Sequence, residues 1–252
     1  YADANALEKY VYDYTKDVLL KLKRLDLLPE MVQVGNEITN GLMWPHGKWD
    51  NVDNIARFIS AGIRAVREIS PDSRVMLHLD CGGNNVQRGE DFDVIGLSYY
   101  PFWHGTIDDL TNNMNDLSQR YQKDVIVAEV SMGFTMEDYA DREKLSPEQR
   151  KGMATKPHLA EAVEYPMTPE GQSAFMQKVM ERITQVPEGR GKGFYYWEPA
   201  WIPMPGCGWA NEESLNYIQD PGPGGNEWAN QALFDYDGNA LPALKVIRDF
   251  QK

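Results

Sequence analysis

The sequence predicts an α/β fold, a (β/α)8 TIM barrel of which strands 1–3 are missing from this chain. Short apolar runs alternate with segments of helical period along the 252 residues, which is the pattern of a parallel sheet. Polar and aromatic residues cluster where each apolar run ends, and a barrel builds its active site at that face. A doubly wound sheet is the alternative, but it usually carries a glycine-rich phosphate loop, and the sequence has no GxGxxG or P-loop motif.

The predicted strands and helices follow from the spacing of apolar residues and from the Gly and Pro residues between them. Five apolar runs are expected to be strands, at 31–37, 74–80, 93–101, 124–131 and 191–201. Helical spacing predicts helices at 5–25, 52–69, 106–122, 168–185 and 242–251. The polar stretch 132–167 and the Gly/Pro/Asn-rich stretch 202–230 are expected to be loops. About a dozen residues join the second strand to the third, which is close to the minimum for a crossover. We expect residues 1–252 to form one catalytic domain.

The charge of the chain limits its partners. The formal net charge is −13, and so acidic a surface repels nucleic-acid phosphates and anionic lipid. A neutral ligand suits this acidic surface better. No apolar run approaches the ~18–20 residues needed to span a bilayer. The two cysteines, Cys81 and Cys207, have no metal-ligand spacing. They are compatible with one disulfide or with two free thiols.

Two glutamates carry the predicted chemistry. Glu37 and Glu129 each end a buried apolar run, and a charge at such a position costs desolvation energy unless it is paired or used. A solvated or salt-bridged strand end is the alternative for either residue alone. Glycoside cleavage needs one carboxylic acid for the leaving oxygen and one carboxylate for the anomeric centre. The pair therefore predicts a glycosidase, which needs no metal and no cofactor.

Further residues near the strand ends are candidate substrate contacts. Asn36 suits a hydrogen bond to the sugar 2-hydroxyl, or it caps the strand end as an amide. One of Tyr99 and Tyr100 could donate its phenol to Glu129, but side-chain alternation sends the two rings to opposite faces. The other candidates are aromatic, imidazole or carboxylate groups that could stack on or hydrogen-bond to a sugar, with core packing as the alternative: His78, Asp80, Trp103, His104, Trp197 and Trp201.

Several motifs together resemble glycoside hydrolase family 53, the arabinogalactan endo-β-1,4-galactanases. They are VQVGNE, IGLSYYPFWHGT, VIVAEVS, FYYWEPAWIP and NQALFDYDGNALPAL, spread over nearly the whole chain. The resemblance implies a (β/α)8 barrel, β-1,4-galactan as substrate, Glu37 as acid/base and Glu129 as nucleophile. It also implies that Trp197 floors the −1 subsite and that the protein is secreted, periplasmic or on the cell surface. Some bacterial members hold calcium in the loop after the last strand, but residues 202–230 differ there, so no metal is expected.

The chain departs from the family pattern at its beginning. Strands 1–3 are expected to be absent, which would leave unpaired sheet edges, and an isolated five-stranded piece is expected to lack catalysis. Three explanations are open: an incomplete record of a longer protein, a piece that associates with a complementary N-terminal fragment, or a deliberately minimised protein. We otherwise expect a monomer. Two alternative functions are a non-catalytic galactan-binding module and a related hydrolase of mannan, xylan or glucan.

Overall fold

The computed structural model describes residues 3–80, 91–137, 139, 157–203, 211–217 and 228–250. Cys81, Cys207 and the expected short crossover after the second strand lie outside these residues. The strands are β1 (Met31–Gln33), β2 (Arg74–Leu79), β3 (Val94–Tyr99), β4 (Asp124–Val130) and β5 (Gly191–Tyr196). The helices are α1 (Ala4–Arg24), α2 (Val52–Ile69), α3 (Ile107–Tyr121), α4 (Pro157–Ala160), α5 (Pro169–Thr184), α6 (Glu212–Tyr217) and α7 (Pro242–Asp249). None of these helices is both long and apolar enough to cross a bilayer.

The five strands form one sheet in chain order, β1-β2-β3-β4-β5. Strands β1, β2 and β3 pair in parallel. At β4 and β5, the Val125 N–H donates to the Arg190 carbonyl and the Trp197 N–H donates to the Val130 carbonyl. Because residue numbers rise together along both strands, this pair is parallel as well. The predicted parallel α/β sheet is therefore confirmed.

Two structural units share the chain. The first comprises the described residues within Tyr1–Ser98, Asn113–Ala128 and Pro187–Lys192. The second comprises those within Tyr99–Asn112, Glu129–Val186 and Gly193–Lys252. Three strands, β3, β4 and β5, begin in the first unit and end in the second. The polar ends of these strands consequently belong to the second unit.

In the first unit, α1 and α2 pack on each other through an apolar cluster of Leu7, Val11, Phe58 and Ala61. Asp3 caps α1 by accepting the Ala6 N–H at 2.8 Å, and Asn51 caps α2 by accepting the Asn54 N–H at 3.3 Å. These local signals and the strong apolar periodicity place α2 at the predicted bounds.

Close approach of α2 to the chain after β1 requires a glycine. A Cβ at Gly62 would lie 2.6 Å from Cγ1 of Val34, closer than carbon atoms can pack. Gly62 therefore lets the helix seat Val34, which is 5% exposed. Val34 lies three residues before Glu37 and anchors the segment that carries this glutamate.

In the second unit, buried polar groups tie the ends of β4 and β5 to α5. Tyr196 Oη donates to the Gln231 carbonyl at 2.7 Å and accepts the Met132 N–H at 3.3 Å. The Gln172 side-chain amide donates to the carbonyls of Met132 at 2.8 Å and Ala232 at 2.9 Å. Burial raises the pKa of the Tyr196 phenol far above its usual value. These bonds fix the chain that follows Glu129.

Four predicted segments differ from the structure. Strand β1 ends at Gln33 rather than at residue 37, because Gly35 and Glu37 adopt positive φ angles of 78° and 46°. Strand β5 ends at Tyr196 rather than at residue 201, because Glu198 also has a left-handed backbone, with φ 51°. The expected loop 202–230 contains α6, and the expected loop 132–167 contains the single-turn α4.

Candidate active site

Glu37 sits in a strained turn at the end of the first apolar run. Its backbone is left-handed, and a short 3-10 helix, Ile38–Asn40, follows it. For a residue with a Cβ this conformation costs about 1 kcal/mol or more. Such strain persists only where the surrounding structure holds the backbone in place, and it is common at active sites. The side chain of Glu37 is half-buried.

A chain of hydrogen bonds leads away from the Glu37 carboxyl group within the first unit. Ser98 Oγ lies 2.6 Å from Glu37 Oε1 and 2.9 Å from His78 Nε2. His78 Nδ1 lies 3.1 Å from Asn36 Oδ1. The Gln33 amide nitrogen donates to that same oxygen at 3.0 Å. Strands β2 and β3 thus supply the groups that surround a glutamate placed by β1.

His78 is fully buried, at 0% exposure. Burial lowers the pKa of its imidazole, and the negative charges of Glu37 and Asp80 oppose that shift without reversing it. Both ring nitrogens lie within hydrogen-bond distance of protein groups. We therefore do not propose His78 as a substrate contact. Asp80 is half-buried, and its backbone N–H donates to Thr39 Oγ1 at 3.3 Å.

Glu129 is the penultimate residue of β4, in the second unit, and is 7% exposed. Tyr100 Oη donates to Glu129 Oε2 at 2.6 Å, the length of a charge-assisted bond. Of the two tyrosines, Tyr100 is thus the one that contacts this glutamate. The Tyr99 phenol instead donates to the Gly105 carbonyl at 3.1 Å, and its ring stacks on Phe175. Tyr99 is a packing residue, and we do not propose it as a substrate contact.

An aromatic cluster surrounds the Tyr100 ring. Trp103 lies edge-on at 5.6 Å between ring centroids, and Trp228 lies at 5.5 Å. His104 Nδ1 accepts the Tyr100 backbone N–H at 3.1 Å, which closes the turn after β3. Trp103 remains 46% exposed. The cluster packs around Tyr100 and still presents an indole to solvent.

The chain after β5 presents a second indole. Trp197 is 39% exposed, although its backbone N–H is fixed to Val130 at 2.9 Å. Trp201 is half-buried. Burial raises the pKa of Glu198, the carboxyl group next to Trp197. Trp197 and Trp201 therefore follow β5 in the second unit, to which Glu129 and Trp103 also belong.

Sequence reasoning missed Ser98 and Trp228. A serine inside an apolar strand carries no local signal, and its partner Glu37 lies 61 residues away along the chain. Trp228 falls in the stretch expected to be a loop. An exposed position for a tryptophan among Gly and Pro residues was the one available signal.

Asp235 accepts the backbone N–H groups of Asp237 and Asn239, so its carboxylate serves a turn.

The chain is similar to known glycoside hydrolases. The model described as glycosyl hydrolase family 53 matches residues 1–247. An endo-beta-1,4-galactanase of Bacillus subtilis (strain 168) is 34% identical over 266 residues, which cover 94% of this chain and 58% of that protein. An uncharacterized protein in the bgaB 5' region of Niallia circulans is 35% identical over 260 residues, which cover 96% of this chain and 65% of that protein. The chain thus spans about three fifths of these relatives.

Solved structures give the same relationship. The GH53 catalytic domain of Ignisphaera aggregans superposes with a TM-score of 0.81 at 33% identity, covering 98% of this chain and 66% of that one. A structure from a study of two fungal beta-1,4-galactanases superposes with a TM-score of 0.72 at 28% identity, covering 99% and 70%. Xylanase B from Clostridium stercorarium F9, at 14% identity and a TM-score of 0.59, shares the fold alone.

Proposed function

Because the chain belongs to glycosyl hydrolase family 53, we propose that it carries the catalytic residues of a retaining endo-β-1,4-galactanase. Its proposed substrate is neutral β-1,4-galactan, as found in type I arabinogalactan and in pectin side chains. The similarity to an endo-beta-1,4-galactanase from Bacillus subtilis supports this substrate, as does the likeness to fungal beta-1,4-galactanases. A net charge of −13 also suits a neutral polysaccharide better than an anionic one.

The proposed reaction is a double displacement. Glu129 attacks the anomeric carbon while Glu37 protonates the departing glycosidic oxygen, giving a covalent glycosyl-enzyme. Glu37, now ionised, then removes a proton from water, which attacks the anomeric carbon and releases Glu129. This scheme requires the two carboxyl groups to stand ~5–5.5 Å apart across the sugar.

The setting of Glu129 is the observation that carries the proposal. A carboxylate at 7% exposure is costly to keep ionised unless donors stabilise it. The Tyr100 phenol supplies such a donor to Oε2 and fixes the orientation of the carboxylate. A nucleophile must be ionised and oriented in this way.

Exposed and polar groups support sugar binding. The indole faces of Trp103 and Trp197 are partly exposed, and we assign them to sugar stacking, with Trp197 under the −1 sugar. Asn36 turns its Oδ1 toward Gln33 and His78, so we assign its amide nitrogen to the sugar 2-hydroxyl. Asp80, His104 and Trp201 remain proposed contacts of the same substrate.

The wider biology is also a proposal. The match over residues 1–247 supports one catalytic domain for residues 1–252. We propose a monomer that is secreted, periplasmic or displayed at the cell surface, where plant polysaccharide is met. The two-carboxylate mechanism itself consumes no cofactor.

Proton NMR during hydrolysis tests the proposal. The protein that contains this chain is incubated with β-1,4-galactan, and the anomer released first is recorded against mannan, xylan and glucan as parallel substrates. We expect galactan alone to be cleaved and the β-anomer to appear first. An α-anomer would exclude retention, and preferential cleavage of another polysaccharide would exclude the substrate. Binding without cleavage, unchanged in Glu129→Ala, would identify a binding module instead.

A further inference from the structure

Ser98 and His78 lie behind the Glu37 carboxyl group and have no role in the scheme above. Both are buried, Ser98 at 3% and His78 at 0% exposure. A serine hydroxyl carries one hydrogen and can accept others. Because Ser98 Oγ touches both Glu37 and His78, its single hydrogen points to one of them, and the other must donate to it.

The direction of these bonds can be read from a backbone carbonyl. The Gln33 amide nitrogen contacts the Gly35 carbonyl oxygen at 2.9 Å, and a carbonyl can only accept. This contact fixes the Gln33 NH2 group, which then also donates to Asn36. Asn36 therefore presents its oxygen, and His78 Nδ1, 3.1 Å from that oxygen, must carry a hydrogen.

The hydrogen on Nδ1 determines the rest of the network. A neutral imidazole with its hydrogen on Nδ1 has a bare Nε2, which accepts. Ser98 must then donate to His78, so Ser98 can only accept from Glu37. Every contact is satisfied when Glu37 carries its proton. When Glu37 is ionised, the Ser98 hydrogen turns to Glu37, and Nε2 needs a second imidazole hydrogen to keep its bond.

We propose that Ser98 and His78 form a hydrogen-bond relay that positions Glu37 and holds it in its protonated, acid form. This inference rests on the acid/base role proposed for Glu37. The relay has two satisfied states with the same three hydrogens. In one, Glu37 and Ser98 each donate toward a neutral His78. In the other, one proton has moved through Ser98, leaving Glu37 ionised and His78 cationic.

Burial favours the state with a neutral imidazole. Desolvation lowers the pKa of His78, and the charges that face it, Glu37 and Asp80, do not overcome that effect. Asn36, Gln33 and Ser98, which also contact the network, are uncharged. In the proposed mechanism the ionised Glu129 faces Glu37 across the sugar and favours the protonated acid as well. Both effects favour the first state, in which Glu37 carries the proton that the leaving oxygen needs.

Imidazole nitrogen-15 NMR tests the relay without requiring turnover. We expect neutral His78 to carry its hydrogen on Nδ1, with a bare Nε2 whose signal moves as Glu37 titrates. That movement should vanish in Ser98→Ala, which breaks the relay, and in Glu37→Gln, whose amide donates at every pH. A wild-type His78 protonated on Nε2 and bare on Nδ1, or a response unchanged in Ser98→Ala, would overturn the proposal.

The pH dependence of kcat/KM is the second readout. In Ser98→Ala the protonated Glu37 loses the acceptor for its hydrogen, so the basic limb of the profile should move down by roughly one pH unit. His78→Gln keeps an amide partner for Ser98 but cannot hold its hydrogen in one direction, so it should move the limb the same way. Ser118→Ala, which removes a fully buried serine hydroxyl from α3, should leave the limb in place.

The two readouts separate this inference from the proposed function. A relay seen by NMR in a protein that does not cleave galactan would sustain the relay and reject the galactanase. Galactan cleavage with a basic limb that stays fixed in both Ser98→Ala and His78→Gln would sustain the galactanase and reject the relay. Thermal unfolding of each variant checks that it is folded.

Discussion

Tyr100 donates its phenolic hydrogen to Glu129 Oε2 at 2.6 Å, and the two residues belong to the same structural unit. The bond places a donor on one oxygen of the proposed nucleophile. Neighbouring rings hold the donor in place, with Trp103 and Trp228 both within 6 Å of Tyr100 between centroids. The relationship leads directly to a mutational test.

Tyr100→Phe should lower kcat on galactan by about 10- to 100-fold, because a hydrogen bond to a charged group contributes roughly 1.5–3 kcal/mol. Tyr99→Phe is the matched control. It removes the neighbouring hydroxyl, which donates to Gly105 rather than to a carboxylate, so it should cost about 1 kcal/mol of stability with kcat unchanged. Steady-state kinetics and urea unfolding measure both variants. Equal loss of kcat in the two would remove Tyr100 from the mechanism.

Glu129→Ala should lower turnover by several orders of magnitude, since no covalent intermediate can form. Azide should restore part of the activity on an activated aryl β-galactoside by entering the space left by the carboxylate. It then attacks from the face opposite to the leaving group, so the product should be the α-galactosyl azide. Product NMR reads the configuration. A β-azide from this variant would contradict the nucleophile role.

Glu37→Ala should lower kcat/KM on galactan by about 10²- to 10⁴-fold, the usual contribution of a general acid. An aryl galactoside with a very acidic phenol needs no protonation of its leaving oxygen, so its cleavage step should be affected far less. Rates on a series of aryl leaving groups measure the difference. Equal losses across the series would refute the acid role, and azide should here give the β-galactosyl azide.

Gly62→Ala should destabilise the first unit, because the new methyl group would meet Val34 Cγ1 at 2.6 Å. Overpacking costs about 1–3 kcal/mol, against a gain of about 1 kcal/mol in helix propensity. Urea denaturation measures the net loss. The double variant Gly62→Ala/Val34→Ala should lose less than the two single losses added together, since the second change removes the clash. Strict additivity would show that the contact is not the cause.

Helix α2 shows what local sequence can predict. Its apolar period is strong, Asn51 caps it, and its observed bounds of Val52 and Ile69 match the prediction. Strand β1 shows where local sequence fails. The apolar run continues to Val34, but the backbone turns at Gly35 and becomes left-handed at Glu37. An Asn-Glu pair carries no preference strong enough to reveal such a turn.

Some residues of the candidate site could likewise be predicted from local sequence, and others could not. Glu37 and Glu129 could be identified because a carboxylate at the end of an apolar run is chemically conspicuous. Ser98 could not, because its importance comes from contacts with residues 20 and 61 positions away. Tyr99 and Tyr100 are adjacent and chemically identical. Alternation predicts that they face opposite ways, but only tertiary packing against Phe175 determines which one contacts Glu129.

The bonds of Tyr196 and Gln172 to Met132 also bear on how the protein moves. The Met132 amide is held by a buried phenol, and its carbonyl is held by the buried Gln172 amide. Amides in such surroundings exchange with deuterium only when the enclosing core opens. Met132 lies three residues after Glu129, so the backbone carrying the proposed nucleophile should be among the last in its unit to exchange. Motion needed to admit a polymer must then come from other segments.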